Sequence, residues 1–301
     1  MRRIEFWPAT AFVFLGVIWG SNFIFMKWAA ETVSALQIVL LRVLFGFLPV
    51  ALYALFTRSL KRWHAKLFGH FFVMSLLATV VYYYCFAKGA TLLLSGVAGA
   101  VSGAIPLFAF VSSALMLSEE KVSPRKIAGI LIGFAGVVVI ANPFGSELTP
   151  ESIAGVIYMA TGSLSLGLSF VYAKKYLTGH EISPAALTTY QLGLALLILL
   201  LVTDFSGLSK IQSDPRALTG LVAGLGLLGT GIAYIAYYFI VGKLGAVMAS
   251  LVTYIPPIVA LLIGALLVGE AIAPSAYLAT LLILSGVWLL SSGAARPRNS
   301  E

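Results

Sequence analysis

Tyr84 and Tyr234, Pro106 and Pro256, Glu120 and Glu270, Pro124 and Pro274, and Gly136 and Gly286 form five identical pairs, each 150 residues apart. No gap is needed to align them. The 301-residue chain therefore reads as two copies of one unit, 1–146 and 147–301. Whatever the chain folds into must be built twice, and two similar halves of an apolar chain are the usual construction of a carrier that rocks around a shared site.

Both copies are strongly apolar: 60% of the residues are hydrophobic and 10% charged, far from the balance of a water-soluble domain. A bilayer core needs a helix of about 20 apolar residues. Ten runs approach that length, at 7–29, 34–56, 67–88, 92–118, 126–144, 152–173, 184–203, 217–240, 244–268 and 274–292. They lack the alternation of barrel strands, so each is expected to be a helix with its backbone bonds satisfied internally. The expected fold is an all-α integral membrane protein with ten transmembrane helices in two five-helix repeats. Five is odd, so the second repeat is expected to be inverted relative to the first. Arg2 and Arg3 precede the first run as they would in a signal peptide. The run is too long and reaches Lys27 without a small-residue cleavage site, so a permanent span is expected. Connections of about fifteen residues or fewer leave no room for a soluble domain.

With the N-terminus placed in the cytoplasm, fourteen Lys and Arg fall on the inner side, four (Lys27, Lys88, Lys210 and Arg216) on the outer, and Arg42 lies within a span. That bias places both termini inside. It also accounts for the net charge of +8, so nucleic acid is not an expected partner. The single cysteine, Cys85, excludes an internal disulfide, and His64, His70 and His180 form no metal-ligating pattern. No cofactor or metal is expected. Membrane lipid and a small-molecule substrate are the expected partners, and a monomer is compatible with the sequence.

Pro106 falls near the middle of the fourth run, and Pro256 and Pro257 near the middle of the ninth. A proline deprives the carbonyl four residues earlier of its partner, here those of Ser102, Val252 and Thr253. Such carbonyls are either satisfied locally, with Ser102 and Thr253 hydroxyls stabilising a kink, or line a wet cavity. Matching prolines in both halves favour the cavity, with the three prolines as hinges. Aromatic and neutral polar groups lie within the runs: Trp19 and Asn22 in the first, Tyr82, Tyr83 and Tyr84 toward the outer end of the third, Tyr190 and Gln191 in the seventh, Tyr234, Tyr237 and Tyr238 in the inner part of the eighth, and Tyr254 beside the second proline pair. They form the candidate substrate wall together with Ser102 and Thr253. Arg42 either snorkels to the surface or anchors a substrate carboxylate. No acidic residue lies within a run, which argues against carboxylate-driven proton or sodium coupling.

The stretch Trp19-Gly20-Ser21-Asn22-Phe23, Arg42 in the second run, and Pro256 followed by Gly269-Glu270 resemble the EamA-type drug/metabolite transporter superfamily over the whole chain. The resemblance implies a small-metabolite carrier of the cytoplasmic membrane, often an amino-acid exporter, with a cavity lined mainly by the third, fourth, eighth and ninth spans. The tyrosines are similar to those of its aromatic amino acid exporter branch. The chain departs from the pattern at Ser118-Glu119-Glu120, where Gly does not precede Glu, and at Gln191, the counterpart of Arg42.

Three alternatives are weaker. A nucleotide-sugar or sugar-phosphate carrier needs several buried cations for phosphate, and only Arg42 qualifies. A membrane-embedded transferase needs paired acidic groups, and Asp204 and Asp214 are ten residues apart on a loop. A channel needs a polar pore or charged rings. Multidrug export stays open beside amino-acid export.

Overall fold

A computed structural model describes residues 6–117, 123–141 and 149–291. Among them the chain is helical, without strands. Ten helical stretches are labelled in chain order, several continuing through 3-10 or π turns: α1 (Phe6–Ala30), α2 (Ala35–Phe56), α3 (Arg62–Leu92), α4 (Ser95–Met116), α5 (Pro124–Ala141), α6 (Pro150–Tyr176), α7 (Pro184–Val202), α8 (Pro215–Gly245), α9 (Leu251–Leu267) and α10 (Pro274–Ser291). Eight of them, all but α5 and α9, are long and apolar enough to cross a membrane, against the ten expected from the apolar runs. The helix α5 has 18 residues, and α9 is a shorter apolar helix led in by a helical turn at 246–250. Bare apolar side chains face outward, Leu131, Leu201 and Trp288 among them, as they do where lipid is the solvent. This is a multi-pass membrane protein.

Local chemistry sets the helix starts. Proline opens α5, α6, α7, α8 and α10, where its missing N–H costs nothing. Side-chain oxygens of Ser34, Thr149, Ser183 and Asp214 cap α2, α6, α7 and α8. Pro124 and Pro274, one of the five repeat pairs, thus have the same job in each half.

Helix packing has the same duplication. The helix α3 packs on α6 as α8 does on α1, α4 on α6 as α9 does on α1, and α2 on α8 as α7 does on α3, while α4–α9, α2–α7 and α5–α10 pair across the halves. Exchanging each helix with its counterpart five places on leaves this pattern unchanged. The α5–α10 contact is close because Gly129, Gly136 and Gly286 face backbone where a Cβ would collide.

Regular helix is interrupted at equivalent places. Wide π turns occupy Leu76–Val81 in α3 and Gly220–Ile232 in α8. The helix α4 breaks at Gly103 and Ala104, and α9 passes through a 3-10 turn, Leu251–Tyr254, before continuing. Pro106 and Pro256 sit in the first turn of the resumed segments Ile105–Met116 and Ile255–Leu262. They start half-helices rather than bend continuous ones, a correction to the reading from sequence. The Ser102 hydroxyl donates to the Gly99 carbonyl at 2.6 Å.

Candidate functional site

The interruptions converge. A cavity of about 410 Å³ lies among α1, α2, α3, α4, α6, α8 and α9, within the ~300–1,000 Å³ typical of small-molecule sites. The sequence-selected residues Trp19, Asn22, Arg42, Tyr82, Tyr83, Ser102, Pro106, Tyr234, Tyr237, Thr253 and Pro256 lie on its wall. The Tyr83 and Tyr234 hydroxyls, one from each half, approach to 3.5 Å. Trp19 and Tyr237 lie with ring centroids 6.1 Å apart.

Arg42 is 5% exposed and does not snorkel. Its Nε donates to Thr230 Oγ1 at 3.0 Å, and its guanidinium carbon lies 3.8 Å from the centre of the Tyr83 ring. Thr230 passes the chain of bonds on, donating to the Leu225 carbonyl at 2.9 Å within the π turn. Among the described residues Arg42 has no carboxylate partner. Asn22 is also 5% exposed, and its Oδ1 is buried with no donor. That oxygen rests against Gly229, where a Cβ would displace it.

Three selected residues point elsewhere. Tyr84 faces the Tyr158 ring at 6.3 Å, Tyr254 bonds the Ser291 hydroxyl at 3.0 Å, and Pro257 is buried outside the cavity wall. Consecutive helical residues diverge by about 100°, so the triplet Tyr82–Tyr84 spans about 200° and cannot all face one cavity. Tyr190 and Gln191 also lie away from it. Tyr190 stacks on Phe71 at 4.6 Å and bonds the buried His64 at 3.2 Å, and Gln191 bonds Thr79 at 2.8 Å. His64 and His70 are helix-packing groups, His70 bonding Tyr172 at 2.8 Å. No metal-ligating cluster occurs among the described residues.

The sequence reading missed Phe23, Met26, Phe86, Leu166 and Phe170 on the wall. The α6 contribution carried no polar signal to separate it from a lipid-facing surface. From sequence, Glu270 at a helix end reads as a capping or gating group; in the structure it caps the start of α4 in a clasp at the end of the bundle holding the α1–α2 turn, and its partner Lys27 is what the sequence did not show. Glu270, its side chain 5% exposed, accepts from the Ser95 and Gly96 amides at 2.8 and 3.0 Å and pairs with Lys27 at 3.5 Å. Lys27 also donates to the Leu93 carbonyl at 3.1 Å. Burial pushes the Glu270 carboxyl up, but the two amides and the Lys27 ammonium outweigh it and hold it below its ordinary value. A carboxylate on free N–H groups at a helix start is favourable on both counts. The same end is tied by Gln37 to the Asp204 and Ser206 carbonyls at 2.7 and 3.0 Å, and by Arg216 to Glu31 at 3.2 Å. Glu120, the repeat counterpart of Glu270, lies outside the described residues.

The EamA-like transporter family model matches residues 6–142 and again 153–292. The chain is 26% identical over 272 residues to an uncharacterized transporter of Archaeoglobus fulgidus, covering 90% of this chain and 94% of that one. It is 26% identical over 276 residues to the uncharacterized transporter YoaV of Bacillus subtilis, covering 91% and 92%. With the uncharacterized inner membrane transporter YedA of Escherichia coli it shares 28% identity over 202 residues, 66% of this chain and 62% of that one. A crystallised protein has the same fold with a TM-score of 0.59 at 19% identity, covering 94% of this chain and 97% of that one.

Proposed function

The chain belongs to the EamA-like transporter family, and from that premise we propose that it is a facilitative carrier exporting small amphiphilic metabolites, foremost neutral and aromatic amino acids. The observation that carries this reading is the cavity itself: about 410 Å³, walled by aromatic rings from both halves, with a few neutral polar groups and one cation. Aromatic faces receive apolar or aromatic side chains, and the polar groups receive a head group. Arg42 is the only cation on the described wall, which disfavours phosphorylated cargo. The likeness of the tyrosine-rich wall to an aromatic amino acid exporter is part of the same proposal.

The transport cycle in this reading is alternating access between two inverted repeats, ten spans in all, with both termini in the cytoplasm. The exchange-invariant helix packing supports the duplication, and the Lys and Arg bias supports the orientation. The clasp of Glu270, Lys27 and the start of α4 then holds the outer mouth shut, and its release opens the cavity outward. The resumed half-helices behind Pro106 and Pro256 are the moving parts.

A growth-toxicity screen tests the proposal. Cells producing the protein should tolerate raised concentrations of aromatic and neutral amino acids or their toxic analogues better than cells without it. Equal tolerance across the whole series sinks the reading.

A further inference from the structure

Thr230 and Gly229 are consecutive residues of the α8 π turn, and each holds one polar group of the cavity wall. Thr230 Oγ1 accepts from Arg42 Nε at 3.0 Å. The backbone at Gly229 seats the Asn22 carboxamide. Arg42 on α2 and Asn22 on α1 are therefore both seated on one short segment, and both line the cavity. With Nε engaged and the Tyr83 ring 3.8 Å from the guanidinium carbon, the terminal nitrogens have no protein acceptor among the described residues. A guanidinium fork with two free N–H ends matches a carboxylate. A buried cation without an anion is costly, and a bound anion relieves that cost.

Asn22 supplies the complement. Its Oδ1 is buried without a donor, and an unmade hydrogen bond there is unfavourable. The Gly224 carbonyl borders the same spot. A half-turn of the carboxamide about its terminal bond points Nδ2 toward that carbonyl and presents Oδ1 to the cavity as an acceptor. The amide's orientation is set by the partners it finds.

Resting on the amino-acid reading above, we propose that Arg42 and Asn22 form the head-group subsite for an α-amino carboxylate. The Arg42 terminal nitrogens take the carboxylate in a fork. Asn22 Oδ1 takes the ammonium, and the rings of Trp19, Tyr83, Tyr234 and Tyr237 receive the side chain. Thr230 is a positioning residue that fixes the guanidinium plane. The subsite makes the carboxylate obligatory and the ammonium a secondary determinant.

The test uses the full chain in lipid nanodiscs, with labelled phenylalanine displaced by phenylalanine, 3-phenylpropionate and phenethylamine. Three ligands share one ring and differ only in the head group. For the wild type, 3-phenylpropionate should compete within about tenfold of phenylalanine, and phenethylamine should be at least about thirtyfold weaker, as loss of a charge-assisted pair implies. Arg42→Gln should weaken phenylalanine and 3-phenylpropionate alike by about 10- to 100-fold, with Arg42→Lys intermediate because it keeps charge without the fork. Asn22→Ala should weaken phenylalanine about three- to tenfold and leave 3-phenylpropionate unchanged. If phenethylamine competes as well as phenylalanine in the wild type, the subsite is overturned while an amphiphile carrier stands. That comparison needs no variant, so a misfolded Arg42→Gln does not shield the proposal. A monodisperse Arg42→Gln that binds phenylalanine like the wild type also overturns it. If phenylalanine does not bind at all, the subsite and the amino-acid reading fall together.

Discussion

Arg42 Nε donates to Thr230 Oγ1 at 3.0 Å, joining the second helix of one half to the π turn in the third helix of the other. Gln191 Nε2 makes the mirror contact to Thr79 Oγ1 at 2.8 Å. Thr79 lies in the α3 π turn and Thr230 in the α8 π turn. One scaffold bond is therefore made twice, but with a cation in one half and a neutral amide in the other. Only the charged version lies on the cavity wall. The duplicated frame is built by both bonds, and in the proposed function the asymmetry is where selectivity enters.

The cavity geometry separates the tyrosines into two groups. Alanine at Tyr83, Tyr234 or Tyr237 should weaken binding of aromatic amino acids about three- to tenfold, from the ~0.5–1.5 kcal/mol of a ring pair. Alanine at Tyr84 or Tyr254 should leave binding within twofold. Competition by a neutral amino acid series checks this, and a loss at Tyr84 equal to that at Tyr83 contradicts the assignment.

The tyrosine split marks the limit of what could be read from sequence. Apolar runs are local and periodic, and they foretold an all-helical membrane chain. The pair Tyr84–Tyr234 is one of the five repeat pairs, yet the residue that meets Tyr234 is Tyr83. Each π turn takes an extra residue per turn and rotates the helix beyond it, so spacing along α3 and α8 loses its phase at the site. The Lys27–Glu270 pair joins opposite ends of the chain, and in sequence Lys27 reads only as an outer-side charge. The α6 wall, Leu166 and Phe170, is apolar and gave no polar signal.

Pro106→Ala and Pro256→Ala restore a missing N–H at the start of a half-helix and let helix run through the preceding break. Each variant should lower the transport rate more than the folded yield, because the first turn of a helix tolerates either residue. Normal rates in liposomes for both variants would show that the breaks do not move.

Glu270→Ala removes a carboxylate from two amides and a lysine. The closed state should lose about 2 kcal/mol, a shift of roughly thirtyfold toward the outward-open form. In a Cys85→Ser background, a cysteine at Met26 should become reactive from outside. The sign of the pH effect comes from the lowered carboxyl. Its stabilisation is complete above the ordinary carboxylate value and is lost only as pH falls through the lower folded value. Labelling should therefore be flat from about pH 6 to pH 8. Labelling unchanged by Glu270→Ala contradicts the clasp.

Cysteines at Ser59 and Ser206 test the orientation. A membrane-impermeant reagent added to intact cells should modify Ser206→Cys, in the α7–α8 connection, and spare Ser59→Cys, after α2. The reverse pattern inverts the topology.

The central claim is carriage of neutral and aromatic amino acids through the cavity without a driving ion. No acidic residue lines its described wall. Purified protein in proteoliposomes loaded with unlabelled phenylalanine should accumulate labelled phenylalanine by exchange, with the same rate when an ionophore collapses the proton gradient. Arg42→Gln should abolish the exchange. Uptake that requires an imposed pH gradient, or no exchange with any neutral or aromatic amino acid, would contradict the account.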